Sequence, residues 1–177
     1  PLTLALHGRH QLENAAVAVA ILERWSTLVQ HISTEAIVTG LTQCEWPGRL
    51  EWLHVPGPAP GTGGDVLIDA AHNPAGAAAL ASYLQDTNAG RLPIGPLVPL
   101  ASRFVATTVP NARARSAEQL AADIRALAPA VPVDVEPSPE AAVRSTLAHA
   151  PRAVAAGSIY MIGPLRATLI AGGATRR

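Results

Sequence analysis

Apolar residues crowd every side of a helical wheel drawn through "QLENAAVAVAILERW" (11–25), with Glu13, Asn14, Glu23 and Arg24 as the main interruptions. The pattern predicts a well-buried helix. "STEAIVTGLTQ" (33–43) predicts a second, shorter one, with a hydroxyl at its start and Glu35 in its first turn. "EWPGRLEWLHV" (45–55) breaks at Pro-Gly and then alternates, Leu50, Trp52 and His54 against Glu51 and Leu53. That is a linker turning into a strand. The glycines of "PGPAPGTGGD" (56–65) invite a phosphate-binding reading, but no Lys-Ser/Thr follows and a strand does. A hairpin connection is predicted there.

Beyond this loop the period switches repeatedly between two and 3.6. The predicted strands are "VLIDA" (66–70), "RFVATTV" (103–109), "VPVDVEP" (131–137) and "RAVAAGS" (152–158). Each is followed by a predicted helix: "NPAGAAALASYLQD" (73–86), "SAEQLAADIRALA" (116–128), "SPEAAVRSTLAHA" (138–150) and "IYMIGPLRATLIAG" (159–172). Pro74 suits a first helical turn, Ser116 suits a cap, and Gly163-Pro164 is expected to interrupt the last helix. Strand–helix repeats of this kind predict an α/β, Rossmann-like domain with a parallel-rich sheet over residues 49–177. Residues 1–48 are helical and form a separate unit. Pro93, Pro96 and Pro99 forbid a central strand in "NAGRLPIGPLVPLAS" (88–102), which reads as a long loop or a deletion.

Composition narrows the chemistry. The 13 basic residues balance 13 acidic ones, so no net charge draws the chain to nucleic acid or an anionic membrane. All the basic residues counted there are arginine, which excludes a Schiff-base lysine or a P-loop lysine. No stretch is apolar for long enough to span a bilayer. The lone Cys44 admits no internal disulfide and fits a reducing cytoplasm; beside Trp46 it is expected to be a small buried hydrophobe. The chain opens at Pro1 in mid-phrase, which reads as a fragment or a trimmed gene product.

In open α/β sheets the ligand crevice lies outside the carboxyl ends of the strands. Asp69 with His72 and Asn73, the "TTVPNARARS" loop, and Gly157-Ser158 all follow strand ends. A carboxylate there suits ribose hydroxyls, a histidine can move a proton, and a serine can orient a substrate. Asp, Asn and Pro also favour a plain helix cap and turn, and composition leaves both readings open. Arg113 and Arg115 are either a basic spot for phosphate or an acidic tail, or a solvated pair.

"HGRHQLENAAVAVAILE", "WPGRLEW", "LIDAAHNPAGAAALASYL" and "AAGSIYMIGPLR", in this order, resemble the C-terminal part of the Mur ligase superfamily. The likeness is to its folate branch, the bifunctional dihydrofolate synthase/folylpolyglutamate synthases. The resemblance implies that 1–48 are a helical remnant of the central ATP-binding domain and 49–177 the Mur ligase C-terminal domain. It implies a cytoplasmic monomer and an ATP-dependent ligase that joins L-glutamate to a pteroate or folate through an acyl phosphate. By the same resemblance Asn14 contacts the nucleotide, Arg49 the ATP phosphates and Asp69 the ribose. His72 and Ser158 sit near the incoming glutamate. ATP and Mg2+ would be held mainly by an upstream domain, since the chain has no P-loop and supplies no metal ligand of its own. The family's Gly…Asp-Lys-Asp segment after its second C-domain strand is also missing, its place taken by residues 88–102. Two other readings stand beside this one: a truncated non-catalytic module, and another Mur-type ligase acting on cell-wall peptide or cyanophycin. The Gly-Ser-x-Tyr terminus and the lack of Asp-Asn-Pro-Arg favour folate.

Overall fold

The computed structural model describes residues 2–86, 101–111 and 114–177. Two helices come first, α1 (Arg9–Leu28) and α2 (Thr34–Gln43). A hairpin follows, β1 (Glu51–Pro56) and β2 (Gly63–Asp69), then α3 (Pro74–Asp86). The remainder alternates: β3 (Phe104–Ala106), α4 (Ala117–Leu127), β4 (Val133–Val135), α5 (Pro139–Leu147), β5 (Arg152–Ala156), α6 (Ile159–Ala171) and β6 (Thr175–Arg176). The described part of 88–102 is its end, Ala101 and Ser102; the three prolines lie outside the described residues.

The α/β class holds, with a mixed sheet. Four strands run in the order β5-β2-β1-β6, while β3 and β4 form a separate two-stranded sheet. The β2–β5 and β3–β4 pairs are parallel. The β1–β2 and β1–β6 pairs are antiparallel. The predicted hairpin accounts for one antiparallel pair; β6, two residues long, escaped the sequence pattern. In the hairpin loop, Thr62 accepts from the Gly57 N–H at 2.8 Å through its carbonyl and from the Ala59 N–H at 3.1 Å through its hydroxyl. The loop's polar groups are thus spent on a turn.

Period-two alternation explains how the main sheet is covered on both faces. Leu53, Val55, Val66 and Ile68 meet Met161, Ile162, Leu165 and Leu169 of α6 on one face. Leu67 turns to the other face and meets Leu80, Ala81 and Leu84 of α3, together with Leu50. Phe104, Ala106, Ala121 and Ile124 make a smaller core between β3 and α4. Ser116 caps α4 in a reciprocal box with Gln119, and Ser138 caps α5 ahead of Pro139.

Three expectations are corrected. The last helix is not interrupted: α6 runs through Pro164. Tyr160, Gly163 and Pro164 are all exposed, so the carbonyl deprived of its donor lies on the solvent side. Cys44 is exposed rather than buried beside Trp46. The largest difference is α1, in which Gln11 is the one buried residue. Val17, Ile21, Trp25 and Leu28 follow one another along one face and are each more than half exposed. Periodicity reports that a helix is apolar; it does not supply the surface that covers it.

Candidate functional site

Asp69 ends β2 directly opposite Ala156 of β5, and the Gly157 N–H donates to the Asp69 carbonyl at 3.2 Å. The loop carrying His72 and the Gly157-Ser158 turn therefore leave the parallel pair at the same edge. The helices α3 and α6 both start there. Asn73 and Ser158 act as their caps: Asn73 Oδ1 accepts from the Gly76 N–H at 2.8 Å, and Ser158 Oγ from the Tyr160 N–H at 3.2 Å. His72 is exposed, and its Nδ1 lies 2.9 Å from the Ala70 carbonyl. Since a carbonyl only accepts, Nδ1 carries the proton in this contact, which in the neutral form of the ring puts the lone pair on Nε2.

His72, Ser158, Thr108 and Arg115 line one open cleft between the two sheets. The basic spot is not free, because Arg115 forms an ion pair with Asp123 of α4. Arg113 lies outside the described residues.

Two carboxylates, Asp69 and Glu51, are the buried acids among the described residues. Asp69 is 5% exposed; its Oδ2 accepts from the Leu50 N–H at 2.9 Å and its Oδ1 from the Ala71 N–H at 2.8 Å. Any ribose hydroxyl would have to use a second lone pair on an oxygen already engaged. Glu51 is 6% exposed and holds more partners. Arg166 of α6 meets it with two bonds, Nε–Oε2 at 2.8 Å and Nη2–Oε1 at 2.9 Å. Arg176 Nε lies 3.0 Å from Oε1, and the Gly48 N–H donates to Oε2 at 2.8 Å. Burial pushes the Glu51 carboxyl up, but the Arg166 bonds, the Gly48 N–H and the two guanidinium charges together outweigh it. The net displacement is downward, and Arg166 moves upward in answer.

These acids flank Arg49. Gly48 has φ 76°, where a Cβ would come within 2.7 Å of Ile162 Cγ2. Leu50, with φ 46°, is the one non-glycine residue at positive φ among those described. Arg49 itself is half-buried with its guanidinium 5.6 Å from the centre of the Trp46 ring, and no ion pair involves it among the described residues. Asn14 is exposed on α1, where its amide donates to Gln11 Oε1 at 3.0 Å. Glu51 and Arg166 escaped the sequence reading. The available signal was an acid on the same strand face as Leu53 and Val55.

Among the described residues, no group of three or more His, Cys, Asp or Glu side chains is placed to hold a metal ion. No described helix is long and apolar enough to cross a membrane.

No family model matches the chain. Dihydrofolate synthase/folylpolyglutamate synthase of Mycobacterium tuberculosis is 38% identical over 104 residues, which are 58% of this chain and 20% of that protein. The structure of Mycobacterium tuberculosis folylpolyglutamate synthase complexed with ADP superposes with a TM-score of 0.74 at 27% identity, over 95% of this chain. The chain is similar to the C-terminal part of the folylpolyglutamate/dihydrofolate synthases. It spans 42% of that solved synthase. A bifunctional folylpolyglutamate synthase/dihydrofolate synthase from Yersinia pestis, complexed with AMPPNP and a manganese ion, matches 89% of the chain with a TM-score of 0.67 at 25% identity. Both of these solved synthases hold a nucleotide, and the second also holds a manganese ion.

Proposed function

We propose that this chain is the C-terminal part of an ATP-dependent folylpolyglutamate/dihydrofolate synthase of the cytoplasm, working as a monomer and inactive without an upstream nucleotide-binding body. The observation carrying the proposal is the gathering of Asp69, His72 and Ser158 at one sheet edge, with Arg49 beside it in the turn that Asp69 holds, in a chain whose homologues are these synthases. ATP supplies the phosphoryl group that turns a pteroate or folate carboxylate into an acyl phosphate. The glutamate nitrogen then displaces phosphate to form the amide. Arg49 fits the phosphate oxygens, because a planar guanidinium offers paired donors and no carboxylate among the described residues pairs with it. Nε2 of His72 can take the proton that the glutamate ammonium must lose before its nitrogen attacks. Ser158 orients that substrate, Asn14 reaches the nucleotide from α1, and Asp69 offers a remaining lone pair to the ribose. Mg2+ would be held mainly by the upstream body, together with the ATP phosphates.

The purified chain is expected to give no ATP-, glutamate- and folate-dependent phosphate release. A P-loop's glycines and lysine position the phosphates and metal in such chemistry, and this chain has neither. Splicing the chain onto the upstream part of the Mycobacterium tuberculosis synthase, in place of its own C-terminal part, is expected to restore glutamate addition. A spliced protein that folds, binds ATP and adds no glutamate would favour the non-catalytic module instead.

A further inference from the structure

We infer that Glu51 and Asp69 are positioning residues that together fix the Arg49 turn to the α/β body. The inference rests on the proposed phosphate role of Arg49 for its consequence, and on geometry alone for the device itself.

Four backbone groups around Arg49 are tied down from outside the turn or across it. The Gly48 N–H goes to Glu51 Oε2 at 2.8 Å, and the Gly48 carbonyl accepts from the Ala70 N–H at 3.0 Å. The Arg49 N–H goes to the Trp46 carbonyl at 3.2 Å, and the Leu50 N–H to Asp69 Oδ2 at 2.9 Å. Gly48 and Leu50 both sit at positive φ, so the chain bends left-handed on each side of Arg49. For a side chain such as leucine that conformation is unfavourable and persists only where the surroundings impose it. The surroundings are the two buried acids. Glu51 is in turn clamped by Arg166 from α6 and Arg176 from β6, which ties the turn to the far side of the sheet. Asp69 does the same from the end of β2. By contrast, residues 44–47, between α2 and the turn, are all exposed, and their one side-chain tie to the sheet among the described residues is the solvent-facing Glu45–Arg176 pair at 2.9 Å. Any shift of the helical pair against the sheet leaves Arg49 travelling with the sheet, in a fixed relation to His72 and Ser158.

Two measurements on the chain as it stands test the device. Hydrogen exchange should show the Gly48 and Leu50 amides protected to within tenfold of Ala70, with Glu45 and Trp46 at least a hundredfold faster. Trypsin then reports the variants, because the chain is cut only at arginine. In Glu51→Gln and Asp69→Asn, cleavage after Arg49 should rise at least tenfold relative to cleavage after Arg144 in α5. A merely structural role would raise both sites together, since both would wait on global unfolding. Parallel rises, or Gly48 and Leu50 amides exchanging as fast as Glu45, overturn the inference; the exchange arm needs no variant and survives a misfolded one. In the spliced enzyme, Glu51→Gln should raise KM for ATP at least tenfold and leave KM for glutamate within twofold. Should Arg49→Ala leave KM for ATP unchanged while the chain measurements hold, the phosphate role fails and the positioning device stands.

Discussion

Replacing Arg166 with alanine is expected to lower the stability of the chain by about 3 kcal/mol, the low end of the range for stripping one partner from a buried ion pair. The low end applies because Arg176 and the Gly48 N–H still hold Glu51. For a domain of this size the melting temperature should fall by roughly 10 °C. The magnitude comes from the carboxylate left behind, so removing that charge as well should recover most of it. A Glu51→Gln/Arg166→Met double variant melting close to the parent would show this, whereas additive losses would place the energy elsewhere. The same pair fixes a pH dependence. The folded-state pKa of Glu51 is lowered from its ordinary 4.5, so its contribution is complete above that value. It is lost as pH falls through the folded pKa. In Arg166→Ala the acid transition should begin at higher pH, because burial still pushes the carboxyl up and its largest counterweight is gone. Denaturant melts between pH 3 and 7 would read both effects.

Arg49→Ala, made in the spliced enzyme, is expected to reduce turnover by about 100- to 1000-fold, the usual order for one donor aimed at developing charge in a closed site. Stability should change by less than about 1 kcal/mol, since a guanidinium without a carboxylate partner contributes little to folding. Its stacking on Trp46 adds a similarly small amount. Turnover and melting temperature must be measured side by side. Unchanged turnover would remove the phosphate role. An unfolded variant would instead make Arg49 part of the turn's own framework.

The sequence announced its elements well where local chemistry decides them. Ser33, Ser116, Ser138 and Ser158 each cap the helix that begins after them. The alternation after Pro-Gly became a strand, and "VLI" (66–68) reads as continuously apolar because both faces of its sheet are covered. What pattern could not reveal was partnership. Asp69 is legible as an acid at a strand end, but only coordinates show both its oxygens committed to Leu50 and Ala71. Glu51 and Arg166 are 115 positions apart, and no spacing rule joins them. The antiparallel β6 is likewise too short to leave a period. The α1 error has the same origin, since a wheel apolar all round fixes helicity and leaves its environment open.

That uncovered row on α1 also governs how the polypeptide behaves before any chemistry begins. Four large apolar side chains in line, with Trp25 among them, are adhesive at the concentrations reached during synthesis. The yield of usable protein then depends on how much of the row stays in contact with water. Glutamate or aspartate at Val17 and Ile21 would raise solubility.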